Sequence, residues 1–231
     1  MPIYKNINGV RKKAKIAIMN NQLIPKIYYG NKLVYQSDGT VFESSTAGTY
    51  TIKIPATAYY SIILVGAGGG CASWGGFYSN GYTFNSSGGG GSGAYVHGTQ
   101  RISAGTYTIV VGEGGAGGRN AGIGAVAVKA TDGGASSAFG HVANGGIGGS
   151  AGNDGYGGAG GTATTTLTGE SGNAGGSMSY VVAKDYYPVQ NISGGASKYG
   201  GYGAGGYITN QSLDNYNGKN GYVKISFVSF N

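Results

Sequence analysis

The run Gly112-Glu113-Gly114-Gly115-Ala116-Gly117 directly follows the strand-like TYTIVV (106–111), and Asp132 stands twenty residues beyond Gly112. This is the spacing of a dinucleotide site, in which bare glycines let a pyrophosphate approach the backbone and a later acid holds a ribose hydroxyl. The motif works where it opens a helix, whose N-terminus supplies the anion site. Here it runs into GRNAGIGAVAVK, whose glycines and β-branched residues disfavour a helix. GYGGAG at 155–160 satisfies the same pattern, so glycine content alone generates it. His97 and His141 are the only histidines, and neither stands at metal-ligand spacing from Cys71 or an acid. The eight carboxylates form no close pair suited to glycosidase chemistry. GGSAGND (148–154) is one residue out of register for a calcium-binding repeat and occurs once. The expectation is a protein that is not an enzyme and uses no cofactor or metal.

The surrounding chain explains why such motifs arise. All but six of the 51 glycines lie between residues 66 and 206; the six are Gly9, Gly30, Gly39, Gly48, Gly218 and Gly221. Charged residues make up only 10%, yet there are 20 Tyr and 6 Phe, so the composition is not that of a disordered linker. The net charge of +7 is concentrated at the start: residues 1–36 hold Lys5, Arg11, Lys12, Lys13, Lys15, Lys26 and Lys32 and no acid, while the rest sums to zero. A neutral body argues against nucleic acid as partner. The RKKAK run suits a solvated face or an acidic partner better. Cys71 is the sole cysteine, so no intrachain disulfide forms. MPIYKNINGV has no secretory h-region, and SIILV is too short to span a bilayer. The expectation is a product made in a cytoplasm, without membrane insertion.

Strand-like runs frame the glycines: TYTIKI (49–54), YYSIILV (59–65), TYTIVV (106–111) and YVKISFV (222–228). Residues 1–36 read as a basic β module, with Ile16 and Ile18 on one face of AKIAIM and a hairpin turn at Gly30-Asn31. Residues 37–48 read as a linker and 49–231 as a glycine-rich body. The fold class is all-β, without significant α-helix.

Ordering glycine costs roughly 0.5–1 kcal/mol more than ordering alanine. Something must offset that, and close backbone approach can. In GGIGGSAGNDGYGGAGG (145–161), Gly146, Gly149, Gly152, Gly155, Gly158 and Gly161 fall in phase three. Ile147, Ser150, Asn153, Tyr156 and Ala159 form the next row, able to face outward. Shorter runs recur at Gly112/Gly115/Gly118, Gly169/Gly172/Gly175 and Gly200/Gly203/Gly206. An extended three-fold helix presents its N–H and C=O groups sideways to like neighbours. Collagen is excluded, since no Pro occurs between Pro55 and Pro188. Packed polyglycine-II helices are expected.

The order TYTIKI…YYSIILVGAGGG…GGGGSGAYV…ISAGTYTIVVGEGGAGG…GGASSAFG…ANGGIGG resembles the glycine-rich domain of bacteriophage tail-fibre tip adhesins and related prophage proteins, and most of all the T-even-type adhesins. The likeness covers about residues 49–161, then NGYVKISF. The resemblance implies a polyglycine-II sandwich whose aromatic loops contact a bacterial receptor. The foot, NGVRKKAKIAI…KIYYGNKLVYQ, is similar to short basic modules of tail and baseplate proteins.

Segments 71–87, 179–192 and 199–217 interrupt the glycine tracts with aromatics. Tyr and Trp bring large amphipathic area at small entropy cost, which suits a binding tip. The receptor-binding candidates are Trp74, Phe77, Tyr78, Tyr82, Phe84, Tyr186, Tyr187, Tyr199, Tyr202 and Tyr207. The candidates for docking to a tail, fibre or capsid protein are Arg11, Lys12, Lys13, Lys15, Tyr28, Tyr29 and Tyr35. The expected function is a virion protein, exposed on the particle, that recognises a host-surface protein or glycan. A homo-oligomer such as a trimer is compatible with a fibre. The alternatives are a structural virion protein without a receptor and a non-viral or ice-binding glycine bundle.

Overall fold

The computed structural model describes residues 4–7, 10–13, 17–19, 22–24, 26–29, 32–36, 39–72, 76–79, 82–85, 87–118, 128–151, 154–179, 181–184, 192–207 and 217–230. No helix occurs among them, and the chain is all-β. The framing strands are β1 (Thr40–Ser44), β2 (Gly48–Ile54), β3 (Ala58–Val65), β4 (Tyr95–Ile102), β5 (Gly105–Val111), β6 (Ser136–Ala138), β7 (His141–Ala143), β8 (Ala163–Thr164), β9 (Thr168–Glu170) and β10 (Tyr222–Ser229). They build two antiparallel five-stranded sheets, ordered β9-β4-β3-β10-β1 and β8-β7-β6-β5-β2.

Alternation decides which side of each strand faces in. On β3, Ala58, Tyr60, Ile62 and Leu64 are buried, and they meet Val96 and Ile102 of β4, Val223 and Ile225 of β10, and Ile109 and Val111 of β5. Fully burying a Leu or Ile side chain contributes about 1.5–3 kcal/mol, so this shared layer holds the sheets together. The buried Tyr60 phenol donates to the Ala56 carbonyl at 2.7 Å, so no polar atom is stranded there. β1 lies in the span 37–48 read as a linker, and this is a correction. Its strand pairs with β10, and Phe42 packs on Tyr50 with ring centroids 5.2 Å apart. Phe42 anchors to a strand far away in sequence, which local composition does not show.

The glycine tracts leave and re-enter the sheets at one end. Tract 66–72 continues β3 and shows the three-fold rule directly. The N–H groups of Gly66, Gly69 and Ala72 donate to the carbonyls of Ala94, Gly91 and Gly88. Those of Ala67 and Gly70 donate to Gly134 and Thr131, and that of Gly68 to Lys219. Its carbonyls accept in turn: Gly68 and Cys71 from Gly115 and Gly118, Ala67 and Gly70 from Gly146 and Gly149, and Gly69 from Gly206. Donors and acceptors thus point to different neighbours in rotation, every third residue returning to the same one. This is the hydrogen bonding of packed polyglycine-II helices, and it offsets the entropy cost of glycine through satisfied backbone groups rather than side-chain burial. Bare backbone is obligatory in it: a Cβ on Gly91 would overlap the Ala159 carbonyl oxygen, and one on Gly149 the Gly88 carbonyl oxygen.

The phased stretch 145–161 belongs to this bundle, but not as one continuous helix. It folds back on itself, with Asn144, Ile147 and Ser150 donating to Thr162, Ala159 and Tyr156. The phase survives the reversal: Gly146, Gly149, Gly155, Gly158 and Gly161 are buried, while Ile147 and Tyr156 are 41% and 63% exposed. Gly152 and Asn153 lie outside the described residues. Two other expected runs need correction at their first member. Gly169 sits in β9, where strand pairing takes its backbone, and Gly200 lies in a turn at φ 57°. Gly172/Gly175 and Gly203/Gly206 do pack in the bundle.

Candidate functional site

The groups with chemical potential are already committed. In 112–118, the Gly112 N–H donates to Ser136 Oγ, Gly114 to Asn220 Oδ1, Ala116 to Thr131 Oγ1 and Gly117 to Asn217 Oδ1. Gly115 and Gly118 donate to Gly68 and Cys71. A phosphate would find these donors occupied. Asp132 has a structural task, accepting the Gly148 N–H at 2.8 Å. These contacts share a feature that sequence reasoning missed: where no backbone carbonyl meets a tract N–H, an Asn, Asp, Ser or Thr side chain accepts it. The signal was present in Asn217 and Asn220, each placed just before a glycine of the 217–221 tract.

His141 is buried between Gln100 Oε1, which accepts from Nε2 at 2.5 Å, and Thr165 Oγ1, which donates to Nδ1 at 2.9 Å. That partner set assigns the neutral Nε2–H tautomer. Burial holds the imidazole below its usual 6.5. The unfolded chain therefore takes up this proton at a higher pH than the folded one, so the contribution is complete above about pH 6.5 and is lost as pH falls. We expect the thermal midpoint to drop between roughly pH 7 and 5, and His141→Asn to flatten that slope in calorimetry. An unchanged slope in the variant would assign the titration elsewhere.

Cys71 is fully buried at the end of its tract, with its Sγ 3.8 Å from Ser87 Oγ. Burial pushes its thiol up to about 11, against the weaker opposing pull of the Ser87 hydroxyl. Thiolate is the reactive form, so the folded protein should resist iodoacetamide at about pH 8 while the denatured chain reacts freely. Mass spectrometry reads the difference, and equal rates would refute the packing. Among the described residues, no three His, Cys, Asp or Glu side chains gather as a metal site.

The aromatic segments separate into two groups. Strands Gly76–Ser79 and Tyr82–Asn85 follow the end of tract 66–72 and pair with each other, and Tyr82–Asn85 pairs in turn with Val181–Lys184 to complete one three-stranded sheet. Phe77 is opposite Phe84, and Phe84 is opposite Val182; Tyr78 is opposite Thr83, and Tyr82 is opposite Lys184. Two segments about a hundred residues apart thereby join beyond the bundle. Tyr207, 38% exposed, also lies toward this end, since Gly203 and Gly206 meet Gly93 and Gly90 while Ala94 leads back to β4. Trp74, Tyr186 and Tyr187 lie outside the described residues.

Tyr199 and Tyr202 are at the opposite end. Their turn, with Gly200, Gly201 and Gly203 at φ 57°, 79° and 63°, folds onto the outer face of the β4-β3-β10 sheet. There Tyr199 stacks on Tyr95 at 5.5 Å and Tyr202 on Tyr222 at 4.3 Å, with His97 on the far side of Tyr95 at 4.7 Å. The Tyr222 phenol donates to Glu43 Oε1 at 2.6 Å, and burial together with that carboxylate holds it protonated above the usual range. The stack clamps the returning tracts to the sandwich.

At the N-terminus, Arg11, Lys12 and Lys13 are in strand Val10–Lys13, Tyr28 and Tyr29 in Lys26–Tyr29, and Tyr35 in Lys32–Gln36. Lys15 lies outside the described residues. The strands flanking Gly30-Asn31 pair as expected. Two further ribbons, Tyr4–Ile7 with Val10–Lys13 and Ala17–Met19 with Gln22–Ile24, were missed, although Asn8-Gly9 is a strong hairpin signal. Ile16, read with Ile18, is outside the described residues.

A search of curated proteins finds no match for the chain. A family model described as a glycine-rich domain matches residues 44–228, from the last residue of β1 into β10, and so takes in both sheets and the tracts between them. With most of its length matched, the chain belongs to the glycine-rich domain family.

Proposed function

We propose that the chain is a bacteriophage virion protein of the tail-fibre-tip type, which recognises a host-surface receptor without covalent chemistry and docks to the particle through residues 1–36. The supporting observation is polarity. Chain entry at Thr40 pairs with Ser226, far along β10 from the bundle, whereas the aromatic segments meet in one sheet beyond the tracts. A rigid spacer between an attachment end and a recognition end is what an adhesin needs. Many copies on a particle let modest single-site affinity suffice. In this reading the protein is not an enzyme, needs no cofactor, neither binds nucleic acid nor inserts in a membrane, and is assembled in the host cytoplasm, as a trimer where a fibre demands one.

Purified protein should bind host cells and block infection, and exchanging 73–86 together with 180–191 for a related chain's segments should change which cells are bound. Tyr199→Ala should weaken stability without altering host choice. If the protein neither binds cells nor blocks infection, the structural virion role replaces this reading.

A further inference from the structure

The described strands within residues 1–36 form three two-stranded ribbons, and among the described residues these share no ladder with one another or with the sandwich. A lone two-stranded ribbon is marginal in water, and its outer edges leave N–H and C=O groups unpaired. The first ribbon pairs Tyr4 with Lys13, Lys5 with Lys12, Asn6 with Arg11 and Ile7 with Val10. Directly paired residues share a face and successive ones alternate. Lys5 and Lys12 are thus direct cross-strand partners, while Arg11 and Lys13 are paired with Asn6 and Tyr4. Like charges directly opposite one another destabilise a strand pair. The second ribbon carries no charge: Ala17 is opposite Ile24, Ile18 opposite Leu23 and Met19 opposite Gln22. The third sets Ile27 opposite Tyr35 and Tyr28 opposite Leu33.

We propose that residues 1–36 are a docking segment for an acidic protein, which adds strands to the ribbon edges, covers the uncharged second ribbon, and places carboxylates against Lys5, Arg11, Lys12 and Lys13. This rests on the attachment half of the function above and supplies the chemistry of the acceptor. A second copy fits poorly, because each brings seven cations and no acid in this segment. A nucleic acid or an anionic membrane answers the cations but pairs no strand edges. Strand addition combined with charge complementarity is a protein's mode of recognition.

The full-length chain should be retained on immobilised poly-L-glutamate at about 50 mM NaCl and released by about 500 mM, as screening demands. Combining Lys5→Glu, Arg11→Glu and Lys12→Glu should weaken retention at least about tenfold, while Lys5→Arg with Lys12→Arg preserves it. The thermal midpoint of the body should stay unchanged in both. Particles assembled without this chain should take up the wild type but neither the triple-Glu variant nor Ile18→Ser/Leu23→Ser, although the latter still binds poly-L-glutamate. Normal particle uptake of the triple-Glu variant overturns the proposal. So does tighter binding to duplex DNA or phosphatidylglycerol vesicles than to poly-L-glutamate, or self-association that requires residues 1–36. Poly-L-glutamate binding with no particle uptake overturns the virion reading instead. Host-cell binding by the triple-Glu variant should be undiminished, which keeps the receptor question separate.

Discussion

Gly91→Ala should lower the thermal midpoint by roughly 6–12 °C, the shift that about 3 kcal/mol produces in a chain of this size. Gly91 lies in the interior tract 87–94, where its N–H donates to Ile147 and its carbonyl accepts from Gly69. A new Cβ would overlap the Ala159 carbonyl oxygen and come within 2.8 Å of the Gly158 carbonyl oxygen. Overpacking usually costs about 1–3 kcal/mol because side chains can move aside. Here the obstacle is backbone, held in place by its own hydrogen bonds, so the upper end applies. Gly105→Ala is the matched control, because the nearest atom to its new Cβ is the Tyr107 ring at 3.4 Å. Differential scanning calorimetry on the two variants decides the matter. Equal midpoints would mean the tracts are not close-packed.

Leu64→Ala should cost roughly 2–5 kcal/mol, the range for emptying a fully buried leucine site. Leu64 is 0% exposed in the central strand β3, paired with Val96 on one side and Val223 on the other. Val65, the last residue of β3, follows it and leads directly into Gly66, the first residue of tract 66–72. A cavity at Leu64 thus loosens the root of tract 66–72, and urea unfolding should show the sandwich and bundle melting together. Amide exchange is the finer probe: the protection of Gly69 and Gly91 should fall along with that of Ile62. Loss confined to the strands would show that the two layers are separate cooperative units.

How much of this was legible in the sequence depended on whether the partner was local. β3 and β5 were readable because Ile62 and Leu64, or Ile109 and Val111, alternate within a few residues. β4 was not: only Val96 and Ile102 mark its inner face, and pairing with β3 over eight residues determines the strand. The strands β6 to β9, each two or three residues long, exist because neighbours hold them. The three-residue phase of 145–161 was legible, since it needs only the glycines' own spacing. Its partners were not, because the Gly91 N–H reaches Ile147 across more than fifty residues. Tyr199 and Tyr202 show the limit of composition. It identified an aromatic interruption but gave no sense of which end of the bundle it reached. The YGGYG spacing was the overlooked clue, since glycines flanking tyrosines permit the tight left-handed turn that sends the chain back from the sheet.

The threefold rotation of hydrogen bonds also limits how such a chain can change its length. Adding or removing one residue within 66–72 or 87–94 would turn everything after it by a third of a revolution, driving an outward side chain into a neighbouring backbone. Such tracts can lengthen only in whole triplets, each adding about 9 Å of reach. The connecting sheet of Gly76–Ser79, Tyr82–Asn85 and Val181–Lys184 stands outside this rotation, and strand register sets its length in place of triplets. Variation in a lineage carrying this architecture is thus channelled into the connecting segments, and the scaffold changes in steps or not at all.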